Sequence, residues 1–334
     1  MGPAAVKVIS LLRGRRLMRI KRQVAIFLSA LMLLGSVAGL GVSGQERRQT
    51  GRDGVRTVII PVTIRTKGSR MGREMDVVDF TVREDGEEMR KLSIRWMGNS
   101  PLTLAVLIQD GVVPSIGNEM KGIGEFIRSL PEGSRVLVGY IRTGSLEVRQ
   151  KFTTDLERAA GSLRPPLSFA SAAPSNPYTE IIDSLKRFEG QPAGRRAMLV
   201  VSDGLDYSRG FDTASVVQSI DLQRAINEAQ RRGVAVYSFY APSVITNVRS
   251  NNILAAGAQS SLARLSDETG GRAYFQGLDA PVSYDPFLKD VSTSLTRQLA
   301  LSYLSTHPKK GFHRIEITTD RDDIELSYPA GYTR

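Results

Sequence analysis

Two hydrophobic rhythms alternate through the middle of this chain. Compact apolar, β-prone runs at 102–109, 135–141, 146–152, 197–202, 234–240 and 272–275 predict strands. Most of them lack the in–out alternation of a half-exposed strand, which suits strands covered on both faces of a parallel sheet. Between them, 117–129, 154–163, 179–188, 214–232, 257–268 and 284–298 repeat apolar positions at helical spacing. In 214–232, Val216, Val217, Ile220, Ala225 and Ile226 are apolar among polar neighbours, and Gly233 supplies a stop signal. Strands alternating with helices predict an α/β fold with a doubly wound, mainly parallel sheet.

Both ends of this region switch to a period of two. On the N-terminal side, 58–64, 80–84 and 91–96 read as strands, with turns at Lys67-Gly68-Ser69-Arg70 and Asp85-Gly86. Pro61 suggests that the first of them is an edge strand. On the C-terminal side, 299–304, 312–318 and 324–328 read the same way, with a turn at 320–323. Neither set is long enough for a core of its own, so the two are expected to pair into one small β module. The division expected is 45–55 linker, 56–100 N-terminal β segment, 101–285 α/β domain, and 286–334 C-terminal helix and β segment.

The first 44 residues stand apart. A basic stretch at 18–22, an apolar stretch at 24–40 and the small residues Val42-Ser43-Gly44 have the layout of a secretory signal, with Met18 an alternative start to Met1. Export to the periplasm or cell exterior follows, or anchoring to the inner membrane by 24–40 if the segment is not cut. This segment also explains most of the charge. The chain has 45 basic and 34 acidic residues, net +11; the first 44 residues hold seven of the basic ones and no acid, leaving 38 against 34, or +4. No dense basic face remains for nucleic acid. Absence of cysteine excludes thiol catalysis and zinc–cysteine sites. His307 and His313, the only histidines, flank a turn at 308–311, and surface positions are the ordinary expectation for both.

The candidate chemistry lies at the ends of the apolar runs. Leu104 to Ile108 leads through Gln109 to Asp110, and Ala197 to Val201 leads through Ser202 to Asp203; Thr179 opens a helical pattern between them. In parallel sheets, ligands bind beyond the carboxyl ends of the strands. Two carboxylates and a hydroxyl there would suit a hard cation.

These residues resemble the von Willebrand factor A-type domain family, and most closely its exported bacterial VWFA-related subgroup, as in Acidobacteria. The resemblance rests on Asp79 to Gly86, Thr179 to Leu185, Val201-Ser202-Asp203-Gly204 and the terminal Gly331-Tyr332. It implies a metal-ion-dependent adhesion site with Asp110, Thr179 and Asp203 as Mg²⁺ ligands, and Ser115 and Asp206 as further oxygen donors. The family's first loop carries two serines after its aspartate, but Val112 and Pro114 stand at those positions here. The expectation is therefore a degenerate site, with a retained Mg²⁺ ion as the alternative to no resident cofactor. The implied function is non-catalytic: an exported adhesion or scaffold protein that takes a protein or peptide ligand on the loops at 110–117, 165–179 and 203–213, through Asp110, Ser115, Thr179, Asp203, Asp206 and Ser208. A metal-assisted envelope hydrolase and an inert structural envelope component are the alternatives. No Gly-x-Ser-x-Gly, Walker A or His-Glu-x-x-His motif supports an enzyme.

Overall fold

The computed structural model describes residues 55–66, 79–210, 219–244 and 252–334. The signal and linker readings, the turn at 67–70, the start of the 214–232 helix and the end of the 203–213 loop lie outside these residues. Among the described residues, no helix is long and apolar enough to cross a membrane.

The central sheet has six strands: β5 (Leu102–Gln109), β6 (Arg135–Arg142), β7 (Ser145–Thr153), β8 (Arg195–Ser202), β9 (Ala235–Tyr240) and β10 (Arg272–Tyr274). Their order is β10-β9-β8-β5-β6-β7. All neighbours are parallel except the β6–β7 edge pair. Every residue of β5 is buried, because helices cover both faces. Leu104, Val106 and Ile108 face one layer, with α1 (Met120–Arg128), α2 (Leu156–Gly161) and α6 (Asp285–Thr296). Ala105 and Leu107 face the other, with α3 (Tyr178–Lys186), α4 (Ile220–Arg232) and Leu265 of α5 (Asn252–Glu268). This is the predicted α/β fold, in which a two-sided core requires continuous apolar strands.

Local sequence sets the helix ends. Ser219 caps α4 by accepting the Leu222 N–H, and Gly233 ends it in the left-handed region at φ 62°. The 117–129 stretch divides into a 3₁₀ turn, Pro114–Glu119, and then α1. Gly122 and Gly124 let α1 approach its helical neighbours, Asp285 and Leu288 of α6 beside the first and Leu163 and Ala160 beside the second.

The chain ends build a sandwich of two four-stranded sheets. One has the order β13-β1-β11-β4: β1 is Arg56–Thr66, β4 Arg90–Trp96, β11 Gln298–Ser305 and β13 Ile324–Ser327. The other is β14-β12-β2-β3: β2 is Phe80–Glu84, β3 Glu87–Glu88, β12 Phe312–Thr319 and β14 Gly331–Thr333. Val62, Ile64, Phe80, Val82, Leu299, Leu301 and Ile317 fill the space between them.

Three expectations need correction. Pro61 does not mark an edge strand, since β1 lies between β11 and β13; however, β13 reaches only Thr63 to Thr66, so the strand is open on one side at Pro61. Helix α6, grouped from sequence with the C-terminal segment, gives Leu288, Val291 and Leu295 to the α/β core, because its apolar stripe matches that face. Finally, the histidines are less exposed than expected: His313 is buried and His307 only partly exposed.

Arg195 joins the two parts. Only 4% exposed, it donates to the side chain of Gln298 and to the carbonyls of Gly98, Ser100 and Leu295. Its fork closes the start of β8 onto both connections to the sandwich. Arg195→Leu strands these buried acceptors and should lower stability by about 3 kcal/mol in urea unfolding; a change within 0.5 kcal/mol, the usual scatter for surface substitutions, would show the junction does not depend on it.

Candidate functional site at the upper edge of the sheet

β5 and β8 are neighbours in parallel register, with Ile108 beside Val201. Asp110 and Asp203, two residues further on, therefore end adjacent strands at the sheet's carboxyl edge. Gln109 ties the ends together: its Oε1 accepts from Ser202 Oγ at 2.5 Å and from the Asp203 N–H at 3.3 Å.

Asp110 is fully buried, and its carboxylate is taken up by Arg164. The guanidinium donates from one nitrogen to Oδ1 at 2.9 Å and from the other to Oδ2 at 2.8 Å. The Leu167 N–H also donates to Oδ1 at 2.8 Å, and Arg142 approaches Oδ2 at 3.5 Å. Such a two-pronged pairing is among the stronger ways to hold a buried carboxylate. Arg164 lies over the Tyr140 ring at 3.8 Å and pairs with Glu147 at 3.2 Å. Its contact with Asp110 raises its pKa further above the ordinary guanidinium range. The Glu147 carboxyl is held below its usual range: burial works against this, but Arg164, Arg142 and Arg149 outweigh it.

The loop after Asp110 is closed by backbone pairing. Val112 bridges to Ser243, the Gly111 N–H donates to the Leu167 carbonyl, and the Val244 N–H donates to the Gly111 carbonyl. Gly111 has φ 82°, and a Cβ there would lie 2.4 Å from Ala173, so only glycine fits this close approach. Ser115 is exposed on the 3₁₀ turn beyond.

The remaining candidates have internal partners. Thr179 is exposed; its hydroxyl lies 2.7 Å from Glu180 Oε2 and 3.1 Å from the Asn176 carbonyl. Burial raises the pKa of Glu180. The side chain that enters the interior here is Tyr178, whose hydroxyl donates to the Gly204 carbonyl at 2.7 Å. Asp206 accepts from Ser208 Oγ and from Ser219 Oγ, both at 2.5 Å, and so fixes its own loop. Asp203 accepts the Leu205 N–H at 3.0 Å through Oδ1, while its Oδ2 is buried without a hydrogen bond.

The structure thus brings Asp110 and Asp203 to one edge and directs the Thr179 hydroxyl elsewhere. Arg164 and Ser243 are the residues sequence reasoning missed: neither belongs to a motif, and each arrives from a distant loop. The donor set does not fit a Mg²⁺ ion. Both oxygens of Asp110 face a guanidinium, and Val112 and Pro114 offer no side-chain oxygen.

No family model and no curated protein sequence matches this chain. Solved structures similar to it include an aerotolerance-related membrane protein from Bacteroides fragilis, at 13% identity over 58% of this chain and 98% of that one, TM-score 0.36. The conserved hypothetical protein BatB from Bacteroides thetaiotaomicron is similar at 14% identity over 58% of this chain and 97% of that one, TM-score 0.38. The SpRpn10 VWA domain is similar at 9% identity over 58% of this chain and 97% of that one, TM-score 0.37. At these scores the α/β assignment rests on the strand order and two-sided core described above.

Asp203 gives the site a pH dependence. Burial pushes its carboxyl up to about 6, against the Leu205 N–H and weaker contacts from Gln109 and Ser243. The fold favours the neutral acid, so this contribution is complete below about pH 4, the unfolded pKa, and disappears as pH rises through about 6. Asp203→Asn should therefore gain about 3 kcal/mol relative to the parent between pH 4 and pH 8 in urea unfolding. A difference that stays constant over that range would exclude the buried charge.

Proposed function

We propose that this protein is an exported, envelope-associated A-type domain protein that binds a protein or peptide without catalysis, and that Arg164 replaces the cation of the adhesion site. The observation that supports this is the two-pronged Arg164–Asp110 contact. In a metal-dependent site, the ion neutralises the strand-end aspartate and offers a position to an acidic group of the partner. Here an arginine neutralises it, and the positive charge at the rim comes from side chains.

Arg142 and Arg149 lie beside Glu147 with side chains 43% and 46% exposed. With Arg164, three guanidiniums face two carboxylates, Asp110 and Glu147. The ligand this arrangement favours carries a carboxylate, from an acidic side chain or a chain terminus.

Two measurements test the reading. Millimolar Mg²⁺ or Mn²⁺ should leave the Tm unchanged, because a cation absent from the folded state adds no stability; Arg164→Ala should cost about 3 kcal/mol by leaving Asp110 unpaired. A metal-dependent Tm rise that disappears in Asp110→Asn would overturn the replacement. For the ligand, an envelope protein captured by the parent chain should be released by added salt and lost with Arg142→Ala/Arg149→Ala. Retention by that variant would move the contact away from this edge.

A further inference from the structure

A second group of chemically active side chains lies in the sandwich, at the other end of the α/β sheet from Asp110. Glu84 ends β2 and is fully buried. Its Oε1 accepts from Tyr332 Oη at 2.8 Å and from Ser305 Oγ at 3.0 Å. Its Oε2 is buried and has no hydrogen-bond partner. Burial, and then the nearby Glu84 carboxylate, raise the pKa of the Tyr303 hydroxyl far above the phenol range, yet it completes no hydrogen bond.

Both histidines of the chain meet this carboxylate. His313 Nδ1 lies 3.2 Å from Glu84 Oε1 and 2.8 Å from Oδ2 of Asp85. His307 Nδ1 lies 3.6 Å from Glu84 Oε1 and has no hydrogen-bond partner. Asp85 is held in place by its backbone, at φ 52° in the turn, and by the Arg314 N–H donating to its Oδ1 at 2.8 Å.

The outer nitrogen of His313 settles the direction of its inner one. His313 Nε2 is 2.9 Å from the Lys309 carbonyl, an acceptor only, so Nε2 carries the proton and donates. Nδ1 is then directed at two carboxylate oxygens. His307 Nε2 is 3.6 Å from the Glu87 carboxylate, too far for a hydrogen bond, so this ring is free to turn. An imidazole whose outer N–H is held by a carbonyl, as that of His313 is, has the usual support of a metal-binding histidine.

We propose that Glu84, Asp85 and His313, whose ligand atoms lie within 4.8 Å of one another, form a site for one divalent transition-metal ion, Zn²⁺ by preference, that His307 moves in to complete and that ties the two chain ends together. Tetrahedral zinc with ligands at 2.0–2.1 Å sets its donor atoms about 3.3 Å apart. Asp85 and Glu84 at 2.8 and 3.2 Å from His313 Nδ1 lie close to that value, and His307 Nδ1 at 3.6 Å from Glu84 Oε1 approaches from just outside the group. Two imidazoles and two carboxylates select zinc and its neighbours over Mg²⁺ or Ca²⁺. Glu84 and Asp85 come from the N-terminal segment and the histidines from the C-terminal one, so the ion would cross-link strands that share a core but lie more than 200 residues apart in sequence.

The test titrates the full chain with Zn²⁺ alone. One equivalent should bind, the Tm should rise by about 5 °C at a hundredfold excess over Kd, and Co²⁺ should give the visible absorption of a tetrahedral centre. His307→Ala, a partly exposed position that the core does not require, should weaken binding by about 100-fold. Asp203→Asn should bind as the parent does, which separates this site from the upper edge of the sheet. No stoichiometric binding by the parent, or binding that survives both His307→Ala and His313→Asn, would overturn the proposal.

Discussion

Asp110 is a carboxylate with no access to water at the end of the central strand, and its charge has to be met where it stands. An uncompensated buried charge costs several kcal/mol, so whatever neutralises it determines the surrounding loops. Arg164 does so from the loop after α2, and Leu167 three residues later adds its N–H. Those two contacts fold the 164–167 stretch over the strand end. The Gly111 N–H then reaches the Leu167 carbonyl, and Val112 pairs with Ser243 beyond β9. The upper edge is thus organised around one charge pair, with β5 supplying the rigid base.

The α/β fold was legible because its signal is local. A strand covered on both faces must be apolar at every position, and a helix packed on a sheet must repeat its apolar stripe; both patterns show in a short window of sequence. Asp110 and Asp203 were legible for the same reason, as the first charges after apolar runs. Arg164 was not, since nothing in its neighbours marks it, and its partner is 54 residues away. Thr179 shows the reverse failure. It stands in the first turn of α3, where Glu180 and the Asn176 carbonyl engage its hydroxyl, while Tyr178 takes the interior.

The β module shows why burial is harder to read than periodicity. His307 and His313 flank a polar turn, where exposure is the ordinary outcome. They are covered because β2, β11 and β14 bring Glu84, Ser305 and Tyr332 around them, and His313 stacks on the Tyr332 ring at 5.3 Å. None of these neighbours is predictable from the turn itself. Pro61 is similar: its missing N–H permits an open side, but whether a partner lies further along the strand depends on where β13 returns.

Two fully buried carboxylates at strand ends, Asp110 and Glu84, therefore have opposite surroundings. Asp110 faces a permanent cation and a backbone donor, so both of its oxygens are engaged. Glu84 receives two hydroxyls on one oxygen, keeps the other unpaired, and otherwise faces imidazole nitrogens. A guanidinium cannot give up its charge, so the first arrangement is closed to competing cations. An imidazole nitrogen can carry a proton or a lone pair, so the second remains open to exchange. Which neighbours already hold the carboxylate oxygens bears on where such a chain can take up an ion, and at the strand-end aspartate that the family resemblance first indicates those neighbours are a guanidinium and a backbone N–H.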